Sequence, residues 1–397
     1  MSSAGEVSSA LVSGPFEAFL ILVFIISGLI WLSEKPPFSK IFKILPLVIW
    51  VVLIPAGLIG FEILPRGLPL YLDIGKIGLP LSLFYLIVSS DLRGVVKLGK
   101  QASIAALGGT LGVALGGTLV VFLFASGENA NLWQGFAVIS AGWIGGTANG
   151  VAVQQGLQAP AEIIAPFILM QTLAGFLWLM LLLAFAKRQA WLAKFLKSDE
   201  SEETETITGE HETTPFDLRS LAALLGLGFF ALLFSGGIGQ LLPELGEPTI
   251  ISKATWVILI ISTLGILVST SDKIQVPAEH ASSFGYLFLY LMLASLGTQL
   301  DFSALDQVGI YFAAGFMWLT IHLAVLLAIG RFFKLPPAMI ALGSMANIGG
   351  IVTTPLVASY YRQKLVPLAL LMAIGTQIVG IYLPFLLASI FSSIALS

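Results

Sequence analysis

The chain contains no cysteine and only three histidines among its 397 residues, which excludes disulfides, thiolate chemistry and cysteine metal sites and leaves little for a metal centre. Charge is scarce too: Asp, Glu, Lys and Arg make up 10% of residues, against roughly 25% in an ordinary soluble domain. A net charge of −3 spread over the loops gives no basic nucleic-acid footprint. His-Glu-x-x-His, Gly-x-Ser-x-Gly and P-loop patterns are absent, so no enzyme activity is expected, nor transport driven by ATP hydrolysis in this chain alone. From Gln101 to Ala186 only Glu128 and Glu162 are charged, and from Leu365 to Ser397 nothing is.

What is present is apolar. Hydrophobic residues make up 57% of the chain and the mean hydropathy is +0.96. Apolar runs long enough to cross a ~30 Å hydrocarbon core recur from end to end, without the dyad alternation of a membrane barrel, so the expected class is an all-α integral membrane protein. Residues 1–14 carry Glu6 but no Lys or Arg, so the positive n-region of a cleaved signal is missing and the first apolar run is expected to be retained.

Twelve apolar segments are read, at 15–33, 44–62, 73–91, 101–125, 134–157 and 161–187, then 218–240, 251–272, 281–301, 307–333, 337–361 and 364–392. The second six follow the first six at a near-constant offset of about 203 to 210 residues, the mark of an internal duplication. The expected organisation is an N-terminal repeat over 15–187, a flexible cytoplasmic linker over 188–217 and a C-terminal repeat over 218–392. The linker reading rests on high charge with low hydrophobicity, from Arg188, Lys194 and Lys197 through Asp199, Glu200, Glu202, Glu203, Glu205, Glu210 and Glu212.

Parity and charge set the expected topology. If all six segments of each half crossed, Lys187, Arg188, Lys194 and Lys197 would lie opposite Lys35, Lys40, Lys43, Arg93, Lys97 and Lys100, against the positive-inside bias. If the fifth and eleventh segments instead enter and leave on one side, those cations become cytoplasmic, with Arg331, Lys334, Arg362 and Lys364. This predicts ten spanning helices plus two oppositely directed re-entrant hairpins, two inverted repeats, and both termini outside. The alternative keeps both segments as crossed broken helices; it requires one other span to be spurious, the third, at 73–91, being the weakest.

Two segments of glycine and asparagine interrupt the fifth and eleventh apolar runs at matching places, Gly142-Trp-Ile-Gly-Gly-Thr-Ala-Asn-Gly150 and Gly343-Ser-Met-Ala-Asn-Ile-Gly-Gly-Ile351. In lipid every backbone polar group needs a partner, so broken backbone at depth persists only where protein buries it or a wet cavity receives it. A matched pair of breaks points to a transport site. Gly145, Gly146, Gly349 and Gly350 free the backbone to face a ligand, and Thr147, Asn149, Asn347, Thr353 and Thr354 offer neutral oxygens and amide donors beside it. Gln171 and Gln377 sit roughly three turns into the helices after each break, as ion ligands or as interhelical hydrogen bonding. Gly108-Gly-Thr-Leu-Gly112 and Gly116-Gly-Thr118 read as close helix packing.

A proton antiporter needs a titratable carboxylate at mid-depth, and no acid stands beside either break. Asp91 and Asp301 end their helices at opposite faces, where capping or water suits them. His322 is the one titratable group at depth, either a proton site or a hydrogen-bonded packing residue.

The breaks, in Ala346-Asn-Ile-Gly-Gly350 with Pro355 following and in Gly145-Gly-Thr-Ala-Asn149 followed by Val151-Ala-Val153, resemble the YjcL-like family of bacterial and plastid membrane proteins, domain of unknown function 819. The resemblance covers nearly the whole chain. It implies the cation/proton antiporter and anion transporter superfamily, a dimeric secondary transporter of the bacterial inner membrane, and a mobile core domain moving against a scaffold. The sequence departs from the antiporters of that superfamily in lacking their embedded acids. The combined expectation is a Na⁺-coupled symporter of a small anionic organic solute, without a further cofactor. Na⁺ is expected among Asn149, Asn347, Gln171 and Gln377, and the solute at the breaks with Thr147, Thr353 and Thr354. Proton coupling through His322, or an uncoupled channel, stands as the alternative.

Overall fold

The computed structural model describes residues 10–12, 14–36, 38–44, 47–90, 92–96, 98–125, 127, 131–160, 163–186, 188–198, 218–271, 274, 276–299, 308–362 and 365–397. Asp91, Lys97, Glu128, Glu162, Lys187, Asp301, Lys364 and the linker beyond Ser198 lie outside them. All regular structure among the described residues is helical.

The first half holds α1 (Pro15–Ser33), α2 (Ser39–Ile44), α3 (Leu47–Gly60), α4 (Pro69–Val88), α5 (Leu92–Val96), α6 (Lys100–Phe124), α7 (Leu132–Gly145), α8 (Thr147–Gly156), α9 (Ile164–Ala186) and α10 (Gln189–Leu196). The second holds α11 (Leu218–Leu241), α12 (Lys253–Thr270), α13 (Ala278–Gly297), α14 (Val308–Phe333), α15 (Pro337–Ile348), α16 (Gly350–Tyr361) and α17 (Val366–Ala395). Every expected apolar segment has its helix, and the fifth and eleventh are each two helices meeting at a glycine. Seven helices are long and apolar enough to cross a membrane by length and composition: α1, α4, α6, α11, α12, α14 and α17. The third segment, read as the weakest, is a 20-residue helix and one of the seven. The first part of the stretch read as flexible linker is helix α10, whose Leu192, Ala193 and Leu196 are buried against α14 and α15. An apolar face at helical spacing within a charged stretch folds down when a neighbouring groove accepts it.

The helices form two groups. One comprises α1, α3, α4, α11, α12 and α13; the other comprises α6, α7, α8, α9, α14, α15, α16 and α17. In the first group, Gly78 lets α13 come close, a Cβ there falling 3.1 Å from Phe288 O and from Met292 Cβ. Tyr85 stacks on Phe288 at 5.9 Å and donates to Leu224 O at 2.8 Å, tying α4 to α13 and α11. In the second group, α6 turns its small residues inward: a Cβ on Gly109 would stand 2.5 Å from Gly343 O and one on Gly112 2.9 Å from His322 O. Its large apolar residues Leu107, Leu111, Leu115 and Leu119 face outward, four apart along one exposed stripe. Helices in lipid gain nothing from burying leucine against leucine rather than acyl chains, so close backbone approach is what holds them.

Hydrogen bonds and close contacts give the relative direction of several helices. Helices α4 and α12 run parallel, since Ser269 Oγ donates to Ser90 O at 2.7 Å and Gly265 faces Ile87 and Phe84 O. If α6, α9 and α11 each traverse once between them, that orientation has α7 and α8 return to the face they came from. The contacts agree. Gly380 of α17 packs on Gly145 at the end of α7, and Trp318 joins the rings of Phe136 and Phe391, so α7 and α17 are antiparallel. Gly156, at the end of α8, then lies not beyond Gln377 but back against Phe385, and its carbonyl accepts Ser252 Oγ at 2.6 Å and Thr255 Oγ1 at 2.9 Å.

The second pair does the same from the other side. Helix α15 runs parallel to α6, with Gly343 against Ala105 and Asn347 against Thr110. Tyr361, at the end of α16, lines the same cleft as Pro337 and Ile340 at the start of α15. The two helix pairs therefore open toward opposite ends of the bundle.

Candidate functional site

Both breaks are built on a glycine with left-handed φ. Gly146 has φ 87° and ψ −179°, and Gly350 has φ 66°, conformations that favour a residue without a Cβ. These two glycines set the register between the halves at an offset of 204. In that register Gly145 matches Gly349, and Asn149 matches Thr353. The local geometry repeats: Asn149 folds its amide over Gly145, and Thr353 folds its hydroxyl over Gly349, each occupying the space a Cβ would take. Neither α8 nor α16 has a side chain capping its N-terminus, so the first amides of both helices stay directed at the break. The C-termini of α7 and α15 point at it from the other arm, which brings partial charges of both signs together.

The two asparagines are thus not counterparts. Asn347 stands on the arm before its break and Asn149 on the arm after, and the residue matching Asn347 is Trp143. Asn347 is fully buried with all its polar atoms engaged. Its Oδ1 accepts from Thr110 Oγ1 at 2.8 Å, and its Nδ2 donates to Ala106 O at 3.0 Å and Gly343 O at 2.8 Å, which makes it a bridge between α6 and α15. Thr354, also buried, donates to Gly350 O at 2.5 Å in its own helix. Sequence reasoning treated both as ligands because residue type does not tell which polar atoms a neighbour already holds.

Other positions keep an oxygen to spare. Four side-chain oxygens around the breaks are buried without a hydrogen-bond partner: Asn149 Oδ1, Thr353 Oγ1, Gln171 Oε1 and Gln377 Oε1. In the register of Gly146 with Gly350, Asn149 and Thr353 are counterparts, while Gln171 and Gln377 each lie on the helix that follows a break but stand two residues out of register. Asn149 Nδ2 donates to Gln377 O at 2.8 Å, and Gln171 Nε2 donates to Thr147 Oγ1 at 3.3 Å, so the amide nitrogens are held and the oxygens are not. A Cβ on Gly142 would stand 2.7 Å from Gln171 Oε1, which places that oxygen against the end of α7. Leaving a buried acceptor unpaired costs about 1–3 kcal/mol, so each of these oxygens would gain from a partner.

Two residues passed over in the sequence belong here. Thr376 Oγ1 donates to Ala346 O at 2.8 Å, joining α17 to the second hairpin one residue from where Gln377 receives the first. Trp143 is fully buried with its indole N–H unpartnered, its ring 5.0 Å from Trp318. Its match with Asn347 was the available signal, hidden because the two residue types differ.

His322 is fully buried, and its Nε2 is 2.9 Å from Ser344 Oγ, which also accepts from Trp178 Nε1 at 2.8 Å. It sits where α14 meets α6 and α15, bonded to the arm before the second break. No group of three or more potential metal-ligating His, Cys, Asp or Glu side chains occurs among the described residues.

Charge divides the two faces. The face from which α15 enters carries Lys35, Lys40, Arg93, Lys100, Arg188, Lys194, Lys197, Arg219, Arg331, Lys334 and Arg362 against Glu34 and Glu279 among the described residues. The opposite face carries Arg66, Lys76 and Lys253 against Glu17, Glu62, Asp73, Glu244 and Glu247. Both described ends of the chain lie on that second face, Leu11 pairing with Glu62 O and Phe391 standing near Phe136 through Trp318.

Fold and site together define a multi-pass helical membrane protein with two broken-helix pairs meeting at neutral polar groups. The chain belongs to the DUF819 family, described as proteins of unknown function, which it matches over residues 21–394. No curated protein matches it.

Proposed function

We propose that this protein is a Na⁺-coupled symporter of a small anionic organic solute, working by elevator-type alternating access. In this reading the halves are inverted repeats, ten helices span the membrane, and α7–α8 and α15–α16 are re-entrant hairpins. The group holding both hairpins is the mobile core; the group around α4 and α13 is the scaffold. The cation-rich face is cytoplasmic by the positive-inside bias, which puts both described chain ends outside. The chain would act as a homodimer in a bacterial inner membrane, as a member of the cation/proton antiporter and anion transporter superfamily.

The observation that carries the proposal is the set of four buried, unpartnered oxygens around the two breaks. Oxygen acceptors without donors, beside unwound backbone and helix C-termini, suit a hard monovalent cation; the uncapped N-termini of α8 and α16 suit the anionic group of a solute. Asn149, Thr353, Gln171 and Gln377 would hold Na⁺. Asn347, with no polar atom to spare, would instead fix the second hairpin. Gly145, Gly146, Thr147, Gly349, Gly350 and Thr354 would line the solute position.

Thermal unfolding of the detergent-purified protein with NaCl or choline chloride at equal ionic strength tests the coupling ion. Na⁺ at a hundredfold excess over its Kd stabilises by about 2.7 kcal/mol, so a selective rise in Tm is expected. Equal Tm in both salts, with proteoliposome flux indifferent to a Na⁺ gradient, would instead favour the uncoupled channel.

A further inference from the structure

Where the second hairpin meets α9, α10 and α14, a cleft is lined entirely by apolar surface, including Leu182, Phe185, Leu327, Ile340, Ala341 and Tyr361. Of the two lining side chains that carry a polar group, Tyr361 spends its hydroxyl on Leu182 O at 3.1 Å, and Trp191 stands exposed at the lip. Helix α10 forms the lip. Its Leu196 packs beside Gly330 and Ile340, while Trp191 and Phe195 stay exposed and stack on each other at 6.2 Å. A short helix with one buried apolar side, exposed aromatics and lysines lies in the plane of a membrane surface rather than across it.

The same lip is strongly basic. The Arg331 guanidinium stands 5.2 Å over the Phe195 ring and also donates to Phe195 O. Lys194 is exposed on α10, Lys197 is exposed just after it, and Arg188 precedes it. No acidic residue occurs anywhere in described α9, α10, α14, α15 or α16. The chain therefore joins a dry slot of acyl-chain chemistry to a cluster of cations at its mouth.

We propose that an anionic phospholipid occupies this site, one acyl chain in the cleft and its phosphate over Arg331 and Lys194. The acidic residues that follow α10, between 199 and 212, have the charge to compete for the cations, but that segment contains a single aliphatic residue, Ile207, and cannot fill an apolar slot. A neutral phospholipid could fill the slot but gains nothing from the cations, whereas anionic headgroups are drawn to basic clusters beside membrane-spanning helices. The cleft touches both arms of the second hairpin, Pro337, Ile340 and Ala341 on α15 and Tyr361 on α16, so the lipid would brace the hairpin at its base.

Native mass spectrometry of the full-length protein, equilibrated with equimolar dioleoyl phosphatidylglycerol and dioleoyl phosphatidylcholine in detergent, tests this. The expected result is about tenfold preferential retention of phosphatidylglycerol, consistent with electrostatic capture. Arg331→Gln with Lys194→Gln should abolish the preference while leaving weak retention of both lipids. Ala341→Phe should reduce retention of both by filling the slot, and Leu327→Phe serves should that variant not fold. Equal retention of the two lipids by the wild type, or an unchanged preference in the Arg331/Lys194 variant, overturns the proposal. So does a preference that emerges only when Glu200, Glu202, Glu203 and Glu205 are changed to Gln, since the acidic segment would then own the cations.

Discussion

Asn149 donates its side-chain amide to the backbone carbonyl of Gln377 at 2.8 Å, linking the first hairpin to α17 across 228 residues of sequence. One residue earlier on the same helix, Thr376 donates to Ala346 O of the second hairpin. Adjacent residues of α17 thus hold both breaks, and the spare oxygens of Asn149 and Gln377 lie at that junction.

Replacing Asn149 should therefore cost twice. Asn149→Ala loses the bond to Gln377 O, worth about 0.6 to 1.7 kcal/mol for an interhelical hydrogen bond in a membrane protein. It also removes one proposed cation ligand, so the Na⁺ concentration for half-maximal stabilisation should rise at least about tenfold, or 1.4 kcal/mol. A Na⁺ titration of Tm separates the two: a lowered baseline with an unchanged midpoint would leave Asn149 a purely structural residue.

The glutamines offer a cleaner comparison because their oxygens bond nothing in the protein. Gln171→Leu and Gln377→Leu should each weaken the Na⁺ response by about tenfold while changing Tm without Na⁺ by less than about 1 kcal/mol equivalent. If either variant instead shows a large loss of Tm and an intact Na⁺ midpoint, that side chain holds helices together and is no ligand.

Gly146 occupies a region of φ and ψ nearly closed to other residues, at a cost of about 1–3 kcal/mol when one is forced there. Gly146→Ala should lower Tm more than alanine at Gly175, where a Cβ would meet nothing within 4 Å and φ is not positive. Equal losses at the two positions would mean that the first hairpin can turn without a left-handed residue.

The inward face of α6 should be intolerant and its outward face indifferent. Gly109→Val forces side-chain atoms onto Gly343 O and Asn347, and overpacking of this kind costs about 1–3 kcal/mol. Leu111→Val on the exposed stripe should be near neutral. The Tm difference between the two variants in detergent checks the assignment.

His322 lies at the contact of α14 with Ser344 and Gly112 and bonds none of the four spare oxygens. His322→Gln should leave the pH profile of Na⁺-dependent stabilisation unchanged between about pH 5 and 8, the range over which a histidine changes charge. Loss of a pH-dependent step in that variant would restore proton coupling as the reading of this residue.

Most of the architecture is legible in one dimension because a bilayer imposes length on its helices. The twelve apolar runs reappear as helices, and Gly145-Gly146 and Gly349-Gly350 mark both breaks. Charge parity bears on whether α7–α8 and α15–α16 turn back, since the number of traverses decides on which face Arg188 and Lys194 fall. What stayed hidden is who bonds to whom. Asn149 and Asn347 look equivalent in the text, yet one keeps a free oxygen and the other is consumed by Thr110, Ala106 and Gly343. Helix α10 was overlooked because its eight residues sit inside a charged stretch, although Leu192 and Leu196 already carried a helical spacing.

The junction on α17 has a mechanical consequence. Both hairpin tips are fastened to consecutive residues of one rigid helix, yet they come from opposite faces. Any slide of that helix along its own axis carries both tips equally far in the same direction. Measured from its own face, one tip then goes deeper while the other comes nearer the surface. In the proposed transport reading, a single displacement would work two gates out of phase, with no signal passed between them.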